Sequence, residues 1–109
     1  MSPEVLALEN ESDRLKSAGD FAGAIEKLTA ALALDETFVR AHLAISVLYH
    51  KTGNYEQSVA HAERAVELEP GDAFNVAALS VTYQRAFEGT RDPIYIQKAE
   101  TAQGRGRQY

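Results

Sequence analysis

A chain of 109 residues with a formal charge of −5 and no cysteine fits one small domain held without disulfides or thiolate metal sites. The surplus of acid excludes a general binder of nucleic acid or of anionic membrane, because phosphate surfaces select lysine and arginine. No apolar run approaches the roughly 18 residues of a membrane span, and no basic-then-apolar leader opens the chain. The expectation is therefore a soluble, cytoplasmic protein.

Alanine carries much of the apolar content and prolines stand only at Pro3, Pro70 and Pro93, so local propensity favours helix along nearly the whole length. The first helix opens with Ser2 as N-cap and Pro3 in its first turn. Val5, Leu8 and Leu15 line its buried side, while Glu4, Glu9, Glu11, Asp13 and Lys16 give it the solvated outer surface of an end helix. A turn follows at Ala18-Gly19-Asp20, and the next apolar stretch contains Ala24, Ile25, Ala31 and Leu32.

The third helix carries Leu43, Ile45, Val47, Leu48 and Tyr49 at helical spacing, and Gly53 stops it as a left-handed cap. Asn54 then reads as an N-cap with Gln57 three residues on, a capping box, and Tyr55, Val59, Ala62, Ala65 and Val66 form one stripe. Glu69-Pro70-Gly71-Asp72 ends that helix, with Asp72 capping the next. Short loops force neighbouring helices to lie antiparallel. In the fifth helix Phe74, Ala78, Val81 and Leu79, Tyr83, Ala86 are apolar, and Phe87-Glu88-Gly89-Thr90-Arg91 reads as a lengthened turn. Asp92-Pro93 restarts a sixth helix whose inner face is Tyr95, Ile96, Ala99 and Ala102, ending at Gly104.

The chain repeats itself. Ala18 to Glu26 is echoed by Thr52 to Ala60, with Gly19 and Gly53 separated by 34 positions, and Ala31 to Glu36 by Ala65 to Pro70 at the same offset. A period that survives a whole helix and its exit turn marks a repeat architecture. The pattern resembles the tetratricopeptide repeat, a 34-residue helix-turn-helix unit. The turn glycines (Gly19, Gly53), the aromatic after the turn (Phe21, Tyr55), the packing alanines (Ala24, Ala31, Ala65), the first-helix tyrosines (Tyr49, Tyr83) and the terminal Pro70 carry the likeness. Leu8, His42 and Val76 stand where the family often has tryptophan, Glu11 where it usually has leucine, and the third copy leaves the register after Arg85.

The resemblance implies an all-α fold: an α-α superhelix of about three antiparallel helix-turn-helix hairpins, six helices in all. One domain is expected over residues 1–103, with repeats at about 4–37, 38–71 and 72–103 and a flexible tail at 104–109. It also implies a concave surface, built by the first helix of each repeat, on which a protein or peptide segment lies. That frame places Leu6, Glu9, Asn10, Asp13, Lys16 and Ser17 on the surface from the first repeat. Arg40, Leu43, Ala44, Val47, His50 and Lys51 follow from the second, and Phe74, Ala77, Ala78, Val81, Gln84 and Arg85 from the third. The expected groove is small and apolar at its middle, acidic toward Glu9 and Asp13, and basic toward His50, Lys51 and Arg85.

Members of the family that clamp the acidic C-terminal tails of heat-shock chaperones use lysine and asparagine on their first helices. The matching positions here are Glu9, Asp13 and Ala44, and two carboxylates repel such a tail. No catalytic residue, cofactor or metal is expected. The three histidines, His42, His50 and His61, stand in no nucleophile motif; His42 is expected to pack between helices, while His50 and His61 face different sides and so cannot share a metal. The expectation is a non-enzymatic adaptor or scaffold module that binds neither nucleic acid nor membrane. The alternative is a self-associating structural unit, a homodimer in which Phe87, Tyr95 and Ile96 pack against a second copy.

Overall fold

The computed structural model describes residues 2–107, and the side chains of residues 2–102. Six helices follow one another: α1 Pro3–Ser17, α2 Phe21–Leu34, α3 Val39–Lys51, α4 Tyr55–Leu68, α5 Ala73–Thr90 and α6 Ile94–Arg107. No strand occurs among the described residues. Each helix packs chiefly against its neighbours in the chain, and α3 also touches α5. The stacking of hairpins expected from the repeat is what forms.

Local chemistry sets most of the boundaries. Ser2 caps α1 by accepting from the Val5 amide at 3.2 Å, with Pro3 in the first turn. Asp20 caps α2 through the Gly23 amide and Asp72 caps α5 through the Asn75 amide, at 2.9 and 3.1 Å, each satisfying a helix amide that has no partner within its own helix. Gly19 and Gly53 adopt φ +83° and +81°, the left-handed region that admits glycine without a side-chain penalty, and so close the two regular hairpins. The capping box expected at Asn54 does not form: its side-chain amide donates instead to Thr52 Oγ1 at 2.8 Å, and no side chain caps α4.

The third hairpin departs from the period in a way that corrects the expected lengthened turn. The added residues prolong the helix. An offset of 34 from Tyr55 is Gly89, whereas α5 runs on to Thr90 and α6 begins at Ile94. Gly89 sits where the Tyr55 ring crosses α5, so close that an added Cβ would fall 2.2 Å from Tyr55 Cζ. Arg91, at φ 63°, ends α5, its amide donating to the Phe87 carbonyl at 2.7 Å. At the far end α6 does not stop at Gly104 but runs to Arg107, into the stretch expected as a tail. Residues 108–109 of that tail lie outside the described residues.

The core falls into two apolar clusters. Val5, Ala24, Leu28, Ala31, Phe38, Ala41, Ile45 and Leu48 join α1, α2 and α3. Val59, Ala62, Val66, Val76, Leu79, Tyr83, Ala86, Ala99 and Ala102 join α4, α5 and α6. Tyr95 packs on the second cluster, whereas Ile96, expected on the inner face of α6, is exposed. Within hairpins, buried serines stitch helix to helix. Ser12 Oγ donates to the Ala24 carbonyl at 2.9 Å; one period later Ser46 Oγ donates to the Ser58 carbonyl at 2.8 Å, and Ser58 Oγ answers at the Ser46 carbonyl at 2.7 Å. Among the described residues no helix is long and apolar enough to cross a membrane.

Candidate functional site

The first helices of the hairpins, α1, α3 and α5, share one side of the stack, and between α3 and α5 that side is indented. The depression is about 330 Å³ and is lined by Leu43, Ser46 and Val47 from α3 and by Phe74, Ala77, Ala78, Val81, Thr82 and Arg85 from α5. Its α5 wall follows from helical spacing, since Phe74, Ala78, Val81, Thr82 and Arg85 recur every three or four residues. Small residues at 77 and 78 leave room where larger ones would fill it. Val47, Val81 and Phe74 are 43%, 43% and 72% exposed, which is unusual for side chains of this size lying side by side.

The structure sorts the expected groove residues into those it gathers here and those it does not. Val47, Ala77, Ala78, Val81 and Arg85 line the depression. Ala44 is half-buried against the first core cluster. Asn10, Asp13 and Gln84 are exposed and lie outside the lining. Glu9 and Arg40 are engaged with each other: the Arg40 guanidinium donates through Nε and Nη2 to the two Glu9 carboxylate oxygens, the latter at 2.7 Å. That bond first, and then the charges of Glu9 and Asp13, raise the Arg40 pKa. The expected acidic rim is thus partly neutralised by a link from α1 to α3. Glu11, expected on a solvated face, reaches Lys27 of α2 at 3.4 Å.

The expected basic rim is also narrower. Lys51 lies over the Phe21 ring at 5.4 Å, and the His50 ring packs at a tilt against Tyr55, centroids 5.7 Å apart, beside the turn of its own hairpin. Arg85 is the one charged side chain in the lining of the depression, and no ion pair engages it among the described residues. Ser46 and Thr82 were not legible as lining residues. Ser46 is small and buried, and Thr82 donates to the Ala78 carbonyl at 2.8 Å, so neither breaks the apolar pattern in sequence.

Larger hollows exist, but their walls differ. One of about 470 Å³ is bounded by Asn54, Glu56, Gln57 and Thr90 with two tyrosines, and one of about 350 Å³ by Glu63, Glu67 and Pro70 among others. Neither presents a continuous apolar floor. No group of three or more His, Asp or Glu side chains is placed to hold a metal among the described residues. His61 does not meet His50; it meets His42, Nδ1 to Nδ1, at 3.1 Å.

A sequence model described as tetratricopeptide repeat matches residues 15–80, more than half of the chain. The protein belongs to the tetratricopeptide repeat family. Solved structures of similar fold agree with this. The second tetratricopeptide domain of Spaghetti (RPAP3), bound to the HSP90 peptide SRMEEVD, is 17% identical with a TM-score of 0.75, covering 95% of this chain and 90% of that one. The tetratricopeptide domain of Sgt2 from Aspergillus fumigatus is 18% identical with a TM-score of 0.68, over 94% and 78%. MamA is 17% identical with a TM-score of 0.70; the match takes 97% of this chain and only 58% of MamA. At these identities the likeness is one of fold. No curated protein matches the chain in sequence. As a tetratricopeptide repeat domain, the chain has the architecture of a protein-interaction module.

Proposed function

We propose that this tetratricopeptide repeat protein is a non-catalytic adaptor that holds a segment of a partner protein across α3 and α5, with apolar side chains of that segment seated in the depression. The observation that carries the reading is the depression itself: Leu43, Val47, Phe74 and Val81 form its apolar walls, and Arg85 is its single cation. An apolar floor supplies most of the binding free energy, and an unengaged guanidinium at one end fixes direction. The partner is therefore a peptide with two or more apolar side chains and a carboxylate that reaches Arg85.

A tail like the HSP90 peptide held by Spaghetti does not suit this surface. Glu9 and Asp13 stand on α1 where such clamps use lysine and asparagine, and Ala44 has no polar group to offer a carboxylate. Phe74, Ala77 and Ala78 make the α5 wall apolar.

Selection of a random peptide library on the purified chain tests this directly. The selected peptides are expected to combine apolar residues with an Asp, Glu or C-terminal carboxylate. Arg85→Glu is expected to weaken them by about tenfold, or about 1.4 kcal/mol, and Val47→Asp to abolish binding, while SRMEEVD shows none. Unchanged affinity for both variants would refute the reading. A second reading rests on Ile94 and Ile96, which are 42% and 38% exposed on α6 and could pair two copies. Tyr95, by contrast, stacks on Tyr83 at 6.5 Å within the monomer. A solution mass of twice the chain, lost in Ile94→Asp/Ile96→Asp, favours that alternative.

A further inference from the structure

The two apolar clusters meet where α3 packs on α4, and that seam holds polar pairs: Ser46 with Ser58, and His42 with His61. His42 is 4% exposed and His61 half-buried. Their Nδ1 atoms lie 3.1 Å apart, while the ring centroids are 5.3 Å apart. The second distance is close to the first plus the two ring radii, so the nitrogens face each other head on. This suits one N–H···N hydrogen bond. Two imidazoles alone do not make a metal site, and among the described residues no third His, Asp or Glu is placed beside them to complete one.

The other face of His42 fixes which nitrogen holds which hydrogen. Its Nε2 lies 2.9 Å from the Glu36 carbonyl, an acceptor only, so Nε2 carries a hydrogen. In the neutral couple His42 Nδ1 is then a bare acceptor and His61 Nδ1 the donor. One added proton leaves the bond intact, because a cationic ring can donate to a neutral one. A second added proton puts N–H on both facing nitrogens, and attraction becomes repulsion between two cations in a largely dry seam.

The groups around the couple are mostly engaged elsewhere. The Glu36 carboxylate lies 3.8 Å from His42 Nε2, but Arg64 of α4 already holds it through two bonds of 2.6 and 2.8 Å. The Tyr49 ring stacks on His61 at 5.9 Å. Of the charged groups on the flanking helices, Lys27 of α2 pairs with Glu11, Arg85 of α5 lines the depression, and Glu26 and Glu88 are exposed.

We infer that the His42–His61 couple is a proton-sensitive latch of the second hairpin, holding α3 to α4 until both imidazoles are cationic and then releasing them. Leu43 and Val47 on α3 form one wall of the depression, so the latch sets the position of that wall. The inference does not depend on what the depression binds. Burial, and then the charge of His42, lower the His61 pKa from its ordinary 6.5. As pH falls, the unfolded chain therefore takes up this proton before the folded one. The stability contributed is complete above about pH 6.5 and is lost as pH falls below it.

Thermal unfolding of the whole chain from about pH 8 to about pH 5 tests the latch. His61→Gln keeps a donor for His42 Nδ1 and cannot become a cation; His50→Gln removes a histidine outside the couple. The wild-type Tm is expected to fall by several degrees on acidification, that of His50→Gln by as much, and that of His61→Gln by less than half. Equal falls in wild type and His61→Gln overturn the inference, as does a flat wild-type profile. If His61→Gln fails to fold, ring nitrogen-15 shifts of the unaltered chain decide. They are expected to show His42 protonated at Nε2 and His61 at Nδ1 at neutral pH, and the opposite tautomer of His61 overturns the latch.

Discussion

The second and third hairpins begin alike and close differently. In the second, a 13-residue helix ends at a left-handed glycine and its partner starts two residues later. In the third, an 18-residue helix overruns the expected turn and the partner starts at Ile94. The cost of the overrun is visible at one atom. Ser80 stands one period after Ser46 and is equally buried, but its hydroxyl has no hydrogen-bond partner among the described residues. The residue one period after Ser58 is Asp92, which lies in the loop and caps the restart of the chain by accepting from the Ile94 amide at 3.0 Å. The register thus breaks inside the third hairpin without disturbing the packing of its first helix on α4, since each repeat contacts only its neighbours.

The overrun is held in place by the Tyr55 ring against Gly89, and this is where the comparison breaks most severely. Gly89→Ala places a Cβ about on the ring, which is itself fixed against His50 and the second core cluster. An exposed helical glycine normally gains about 0.5–1 kcal/mol on replacement by alanine. Here a loss of about 2–3 kcal/mol is expected from overpacking, measured by urea unfolding. The double variant Gly89→Ala/Tyr55→Leu recovers part of it; additive losses instead would mean that the ring does not hold the extended turn of α5.

The serines give the next largest contrast. Ser46→Ala removes a buried donor and leaves the Ser58 carbonyl with one bond fewer, for an expected loss of about 1–2 kcal/mol. Ser80→Ala removes a buried hydroxyl without a partner, so its effect is expected within about 0.5 kcal/mol of zero or stabilising. Equal losses at both sites would show that Ser80 bonds in solution as Ser46 does.

What the sequence revealed follows from what its signals measure. The 34-residue echo, the turn glycines and the Ser2 and Asp72 caps report local geometry and chain periodicity, and each reappears in the structure at its expected residue. The apolar middle of the depression was readable for the same reason, since Val47, Ala78 and Val81 recur at helical spacing. Contacts between distant positions were not readable. Nothing local shows that Arg40 reaches back to Glu9, that Lys51 covers Phe21, or that His42 meets His61. Each pairing is chosen by how two helices dock, and each changes the charge that the surface presents. The length of α5 was missed because Gly89 reads as a breaker until the Tyr55 ring above it is known.

The smallest contrast lies at the helix starts. Asp20 and Asp72 accept from the amides of Gly23 and Asn75, and Ala at either position is expected to lower stability by about 1 kcal/mol. Asn54 occupies the corresponding place before α4, but its amide donates to Thr52 Oγ1, whose hydroxyl in turn donates to the Tyr49 carbonyl at 3.1 Å. It ties the turn to the end of α3 and leaves the first amides of α4 without a side-chain cap. Asn54→Ala should therefore cost only a few tenths of a kcal/mol. Asn54→Asp cannot donate to Thr52; its carboxylate turns toward the amides at the start of α4 and gains from the helix dipole, for a net stabilisation of about 0.5 kcal/mol. A loss in Asn54→Asp as large as in Asp20→Ala, read by the same urea titration, would place the Asn54–Thr52 bond above capping as the determinant of this turn.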